Sequence, residues 1–302
     1  MPRSRPLPDL GALLDSWVLH LRAERKSAET VDNYTTGVRQ FLAWCQAQGC
    51  PAVLDRPTVN GFVAALLDRG AEAATARSRQ LAVRRFSTWC AEEDEIERDE
   101  LIGLRPPKLD QKVTERLTDE QITALVKACA GREFRDRRDE AIIRLMIETG
   151  VRAGEVMALA VADVDLSTGR AVVRRGKGGK GRPVPFGAQT GRALDRYLRT
   201  RRAHRLADTP PLWLGDRGKG LSYDGLYRAL RGRAERAGIE GFHPHTLRHT
   251  AAQRWLSAGG SEGALMAVAG WTRRDMLDRY TRATAAERAA EEAARLGLGD
   301  FG

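Results

Sequence analysis

Arginine, lysine, histidine, tryptophan and tyrosine recur in this 302-residue chain in five short segments whose spacing could serve chemistry on a phosphate. In Thr149-Gly150-Val151-Arg152-Ala153-Gly154-Glu155, Gly150 breaks an apolar helix and Arg152 opens the next one. A cation at a helix start opposes the dipole. Arg152 therefore serves either an ion pair with Glu155, three positions on and on the same face, or an outside anion such as a phosphate. Lys177 and Lys180 stand in the turn Gly176-Lys177-Gly178-Gly179-Lys180-Gly181 between two strands. A lysine on such a turn can approach a nucleic-acid backbone and donate a proton, or it can be a solvated charge. Spacing does not choose between the two lysines.

In His243-Pro244-His245-Thr246-Leu247-Arg248-His249, His245 and Arg248 share a helix face. His245 and His249 have the i, i+4 spacing of a zinc pair. Position 246, however, is Thr where a zinc hydrolase would carry its acid, and no third ligand suggests itself, so no metal and no other cofactor is expected. Trp271 and Tyr280 complete the inventory. Tyr280, flanked by Arg279 and Arg282, is either a core residue at helical spacing from Met276 and Leu277 or a nucleophile. A phenol is a poor nucleophile at its ordinary pKa of about 10 and needs an activated electrophile or a proton acceptor. Attack on a DNA phosphodiester without metal requires a nucleophile, cations on the non-bridging oxygens and an acid for the leaving oxygen. Tyr280, Arg152 with Arg248, and a lysine of the turn supply those parts.

The elements that must position these groups fall into two blocks. Residues 10–97 are expected to be all helical. Leu10, Leu13, Leu14, Trp17, Val18 and Leu21 recur at helical spacing, and Ser27 caps a second stripe of Val31, Tyr34, Val38, Phe41 and Leu42. Further helices are predicted over 58–67 and 74–90, the last with Leu81, Phe86 and Trp89 inward. An acidic run and Pro106-Pro107 then mark a linker, placed at 98–115, between a first domain at 1–97 and a second at 116–302. The second domain opens on the Thr118/Gln121 capping box. It is predicted to be mainly helical (119–130, 137–149, 153–160, 190–204, 223–237, 246–258, 262–268, 273–281 and 284–296). Strands are expected at 161–166, 171–175 and 182–186, and N-caps at Ser222, Ser261 and Thr272.

Composition narrows the class. Hydrophobic residues make up 42% and charged residues 30%, enough for real cores, and no apolar run has the length of a membrane span. Without a secretory signal the expected place is the cytoplasm, at the nucleoid. Cys45, Cys50, Cys90 and Cys129 have no metal-ligand spacing and read as buried thiols. The net charge of +10 is uneven: residues 1–115 hold 16 basic and 17 acidic side chains, residues 116–302 hold 34 and 23. Such an excess suits a polyanion, or else a solvated arginine-rich surface.

The Thr149–Glu155 turn, the Gly-Lys-Gly turn, the His-Thr-Leu-Arg-His segment, Gly270-Trp271 and Arg279-Tyr280-Thr281, in that order, resemble the catalytic domain of the tyrosine recombinases, the phage integrase family, with Xer-type and mobile-element integrases among its members. Residues 10–97 resemble the family's N-terminal SAM-like core-binding bundle. The resemblance implies a two-domain C-shaped clamp around duplex DNA: an all-α four-helix bundle and a mainly α catalytic domain with a small antiparallel sheet. It implies cleavage and rejoining through a 3′-phosphotyrosine on Tyr280, with Arg152 and Arg248 on the phosphate and Lys177 as acid. It further implies His245 at the tyrosine proton, Glu155 steadying Arg152, and Trp271 where many bacterial members carry His. Trp keeps a donor but cannot titrate. The partners implied are two duplex sites and a tetramer, of this chain alone or with a related recombinase. The helix over Thr284–Leu296, with Ala286, Ala289, Ala290, Ala293 and Ala294 on one face, would dock on a neighbour. Arg22, Arg25, Lys26, Arg77, Arg79, Arg84, Arg85, Lys180 and Arg182 are candidate DNA contacts or solvated charges. Trp271 and Ala251-Ala252-Gln253 lean towards a mobile-element integrase over a chromosome-dimer-resolving enzyme. The same residues would also suit a type IB topoisomerase or, less well, a DNA-binding protein without catalysis.

Overall fold

The computed structural model describes residues 8–109, 116–175, 179–216, 218–274, 276–277 and 293. The chain forms two compact units, Met1–Lys112 and Val113–Gly302.

The first unit is helical. α1 (Leu14–Ala23), α2 (Ala28–Gln48), α3 (Arg56–Asp68) and α4 (Ala73–Glu92) follow one another through short turns. Ser27 accepts the Thr30 N–H and Asp55 the Thr58 N–H, so two helix starts are satisfied by side chains. The stripes meet in one aromatic core. The Trp17 and Phe86 rings lie 5.0 Å apart and those of Phe41 and Phe62 5.6 Å apart, edge to face. Gly37 lets α2 approach α4, since a Cβ there would stand 2.5 Å from that of Ala82.

Two sequence expectations change here. Leu81 is 38% exposed, and Ala82, Val83 and Phe86 fill the interior of α4 instead. Residues 98–105, read as the start of a linker, are stitched to the bundle. Ser87 and Thr88 donate to the Asp99 carboxylate at 2.6 and 2.8 Å, Arg56 donates to the carbonyls of Glu100 and Ile102, and Leu101 and Leu104 are buried in the core. Two buried leucines and these hydrogen bonds hold residues 98–105 to the bundle despite the neighbouring acidic run.

The second unit begins with α5 (Asp119–Lys127), started by the Thr118/Gln121 capping box. α6 (Phe134–Thr149) is the central helix, with Ile142, Ile143, Leu145 and Met146 fully buried. After the short α7 (Ala153–Met157) comes an antiparallel sheet in the order β1 (Val164–Asp165), β2 (Arg170–Arg175), β3 (Gly179–Pro185). Only Val164–Asp165 of the strand predicted over 161–166 forms. Asp163, buried, accepts the Ala160 N–H at 2.9 Å and is held by Arg174, which closes a single 3-10 turn ahead of β1. α8 (Ala188–Arg201), α9 (Tyr223–Arg236), α10 (Pro244–Ser257) and α11 (Glu262–Ala269) complete the described helices, with Ser222 and Ser261 capping α9 and α11. Of the helix predicted over 273–281 only residues 273, 274, 276 and 277 are described, and of that over 284–296 only residue 293, so the C-terminal docking face lies outside the described residues but for Ala293.

Beneath the α5–α6–α9 junction lies a buried ion cluster. Asp139 accepts from Arg138 at 2.9 Å and from Arg233 at 2.8 Å, with all three side chains 3% exposed. Asp136 and the Ala128 carbonyl take the rest of Arg233, and Asp216 with the Leu214 carbonyl the rest of Arg138. Every charge is paired, as burial demands.

Candidate active site

The site is assembled where α6 ends. Gly150 takes φ +63°, a left-handed cap that turns the chain, and its hydrogen faces the Ala251 methyl on α10. The chain then runs extended through Arg152, the N-cap of α7. Glu155 sits at the third helical position, where an acid reaches back to the cap. Its Oε2 accepts the Arg152 N–H at 2.9 Å and its Oε1 accepts Arg152 Nη1 at 3.1 Å. The Arg152 side chain remains 36% exposed, so the guanidinium still faces solvent.

The same carboxylate is gripped from the other side. Arg182 of β3 donates Nη1 to Oε1 at 2.9 Å and Nη2 to Oε2 at 2.8 Å, a two-pronged pair. Burial by itself would raise the Glu155 pKa. The Arg182 hydrogen bonds, the Arg152 N–H and the two guanidinium charges overcome it, and the net shift is downward. Glu155 is therefore a fixed anion and not a proton donor. The third Arg182 nitrogen, Nε, donates to the Val268 carbonyl at the end of α11, at 2.7 Å.

α10 supplies the second arginine. Its first turn begins with Pro244 after the His243 cap. Arg248, 6% exposed, donates Nη1 to the Gly150 carbonyl and Nη2 to the Ala269 carbonyl, and its guanidinium lies 5.2 Å from the Trp271 ring centre. That bond to Gly150 places Arg248 beside the turn that carries Arg152. Trp271 packs with Ala252, Leu256, Leu265, Ala269 and Leu277. Leu277, three residues before Tyr280 in sequence, is thus buried in the same cluster. His245, at the solvent edge of α10, titrates below its ordinary range. Partial desolvation is the largest cause, followed by the positive fields of His243, Arg248 and Arg152. At neutral pH it is uncharged and able to accept a proton.

Arg152, Glu155, His245, Arg248 and Trp271 are thus brought together from three parts of the chain: α7 with its cap, α10 and the segment after α11. Lys177 and Tyr280 lie outside the described residues, and of Lys180 the structure gives only its place on the β3 backbone. Arg22, Arg25, Lys26, Arg77 and Arg85 are exposed on the first unit, Lys26 paired with Glu24. Arg84 is half-buried, and Arg79 donates to the Asn33 side chain at 2.8 Å. Arg182, grouped from sequence with the surface cations, has all three nitrogens bound to protein. Its grip on Glu155 is a feature of the fold that residue spacing does not show. Strand alternation carried the signal: Val184, two residues on, is fully buried, and Arg182 pairs with the buried Val173. Among the described residues no cluster of three or more His, Cys, Asp or Glu could hold a metal, and no helix is long and apolar enough to cross a membrane.

Comparison with known proteins places the chain among relatives. The chain is similar to the tyrosine recombinase XerD of Corynebacterium glutamicum, 32% identical over 288 residues that cover 90% of this chain and 94% of the relative. In structure it is similar to the Tn1549 transposon integrase solved in complex with a circular intermediate DNA (TM-score 0.73, 17% identity, 96% of this chain and 100% of the other). It is likewise similar to a lambda integrase tetramer bound to a Holliday junction (TM-score 0.68, 18% identity, 87% and 77%). These two likenesses speak for the fold. The family model described as phage integrase, N-terminal SAM-like domain, matches residues 14–94, and that of the phage integrase family itself matches 115–287. With both models covering most of its length and the paired arginines in place, the chain belongs to the phage integrase family, the tyrosine recombinases.

Proposed function

We propose that the chain cuts and rejoins duplex DNA at specific sites by two transesterifications. The Tyr280 phenol oxygen attacks the scissile phosphorus, the bond to the 5′-oxygen breaks, and a 3′-phosphotyrosyl link forms. The phenol proton passes to neutral His245, and the departing 5′-oxygen takes a proton from Lys177. Arg152 and Arg248 hold the non-bridging oxygens, where charge builds in the transition state. A 5′-hydroxyl of the partner strand then attacks the link, and tyrosine is released. One phosphoester replaces another at each step, so the scheme needs neither ATP nor metal. The observation that carries it is the Arg248 bond to the Gly150 carbonyl, which sets the second arginine against the turn bearing the first.

The substrates are two duplex sites held by a tetramer, in keeping with the lambda integrase tetramer bound to a Holliday junction. Integration or excision of mobile DNA is the favoured task, because Trp271 stands where many bacterial members carry His. Likeness to XerD along nine-tenths of the chain favours a second task, resolution of chromosome dimers. Mapping denaturant-resistant protein–DNA adducts in the host cell separates them. Adducts at one chromosomal locus support resolution, and adducts at element ends support integration. Tyr280→Phe is expected to bind the mapped duplex within about threefold of the parent and to form no adduct. An adduct persisting in that variant would remove Tyr280 as the nucleophile.

A further inference from the structure

Arg182 is the least solvated cation of the site that has no place in the proposed chemistry. Its side chain is 11% exposed, and its nitrogens reach two carboxylate oxygens and a carbonyl on different elements. The surroundings are built to admit it. Gly270 follows α11 with φ +67°, and a Cβ there would stand 2.7 Å from Arg182 Cζ. Glycine is required at 270 both for that backbone angle and for the guanidinium lying against it.

We propose that Arg182 is a positioning residue for strand cleavage: its guanidinium ties the Glu155 carboxylate to the Val268 carbonyl, and so sets Arg152 on one side and the Trp271 segment on the other at a fixed spacing. The inference rests on the recombinase function proposed above. Two consequences follow from the geometry. First, Glu155 faces two arginines, and Arg182 makes both of its bonds at 2.9 Å or less while Arg152 Nη1 stands at 3.1 Å. Arg182 thereby satisfies the anion and leaves the Arg152 guanidinium available to a phosphate. Without it the carboxylate would compete with DNA for Arg152. Second, Val268 and Ala269, neighbours in sequence, accept from Arg182 and Arg248 respectively, so the end of α11 is pinned by both arginines. Lysine cannot replace Arg182, because one ammonium on a flexible stem lacks the planar fork that reaches both partners.

The test uses the full chain and the duplex recovered by adduct mapping, nicked so that cleavage traps the protein. Arg182→Met and Arg182→Lys are compared with the parent for melting temperature, DNA affinity, and the single-turnover rate of adduct formation at saturating DNA. The expected result is a rate lower by about 10²-fold, the scale of an ångström-sized misplacement, with affinity within about threefold and the fold retained. In the Arg182→Met background, Glu155→Gln should slow the reaction no further and should recover part of the rate, since the competing anion is gone. Recovery of Arg182→Met by added guanidinium, and not by ammonium, is also expected.

A parental chain that forms no adduct anywhere overturns the function and this inference with it. A parental chain that forms the adduct while both Arg182 variants match its rate overturns the inference alone. Additive losses in the Glu155→Gln double variant would do the same, as would failure of both Arg182 variants to fold, which would assign the residue to stability.

Discussion

Arg248 and His245 stand three residues apart on one helix, and the proposed chemistry gives them opposite electrostatic tasks. Arg248 is held by two carbonyls and an indole face, so its plane is set before any phosphate arrives. His245 is kept neutral by desolvation and by the cations around it. The sign of the pH response follows. A histidine whose pKa lies below 6.5 is already deprotonated at neutral pH, so adduct formation should be flat across neutrality. It should fall only as pH drops below the ordinary histidine range. His245→Gln should lower the plateau and abolish that acid limb, read from single-turnover rates against pH. Trp271 cannot supply such a limb, so a limb surviving in His245→Gln would point to another base. The types and order of these residues were legible in the sequence, because each stands in a short segment whose composition is distinctive. The role of Arg182 was not. Its partners Glu155 and Val268 lie on α7 and α11, and only the fold brings them to β3.

At the scale of elements, local chemistry was read well wherever one side chain decides the outcome. The caps at Ser27, Thr118 with Gln121, Ser222 and Ser261 all form. Local patterning failed where tertiary partners decide. Leu81 fits a helical stripe but yields its place to smaller neighbours, and the 161–166 segment is turned by Asp163 reaching Ala160 and Arg174. The Arg138–Asp139–Arg233 cluster had no sequence signature at all, since its members meet across α6 and α9. Asp139→Asn would leave two guanidinium groups in the interior with weaker partners. Breaking a buried pair in this way costs about 3 kcal/mol. Urea titration should show that loss as a lower midpoint with an unchanged slope. The cleavage rate per folded molecule should stay near that of the parent, because no bond of this cluster reaches the Arg152–Glu155–Arg182 set.

For the whole molecule, charge placement says more than total charge. The first 115 residues are near neutral, yet α4 presents Arg77 and Arg85 to solvent beside the exposed Leu81, while Arg79 is tied back to Asn33 on α2. Positions 77, 81 and 85 lie on one face of α4, so Arg77 and Arg85 can approach one duplex together. If this face meets DNA, Arg77→Ala and Arg85→Ala each release one fewer counterion. The slope of log affinity against log salt should then become shallower by about 0.9 for each phosphate left without its arginine. The loss should be similar for specific and random duplexes, because phosphate contacts carry no sequence information. Arg79→Ala should alter the slope least of the three, and Arg182→Met not at all, since its nitrogens are already bound to protein. Slopes for Arg77→Ala and Arg85→Ala that coincide with the parent would move the duplex off α4 and leave the basic excess of residues 116–302 as its main electrostatic anchor.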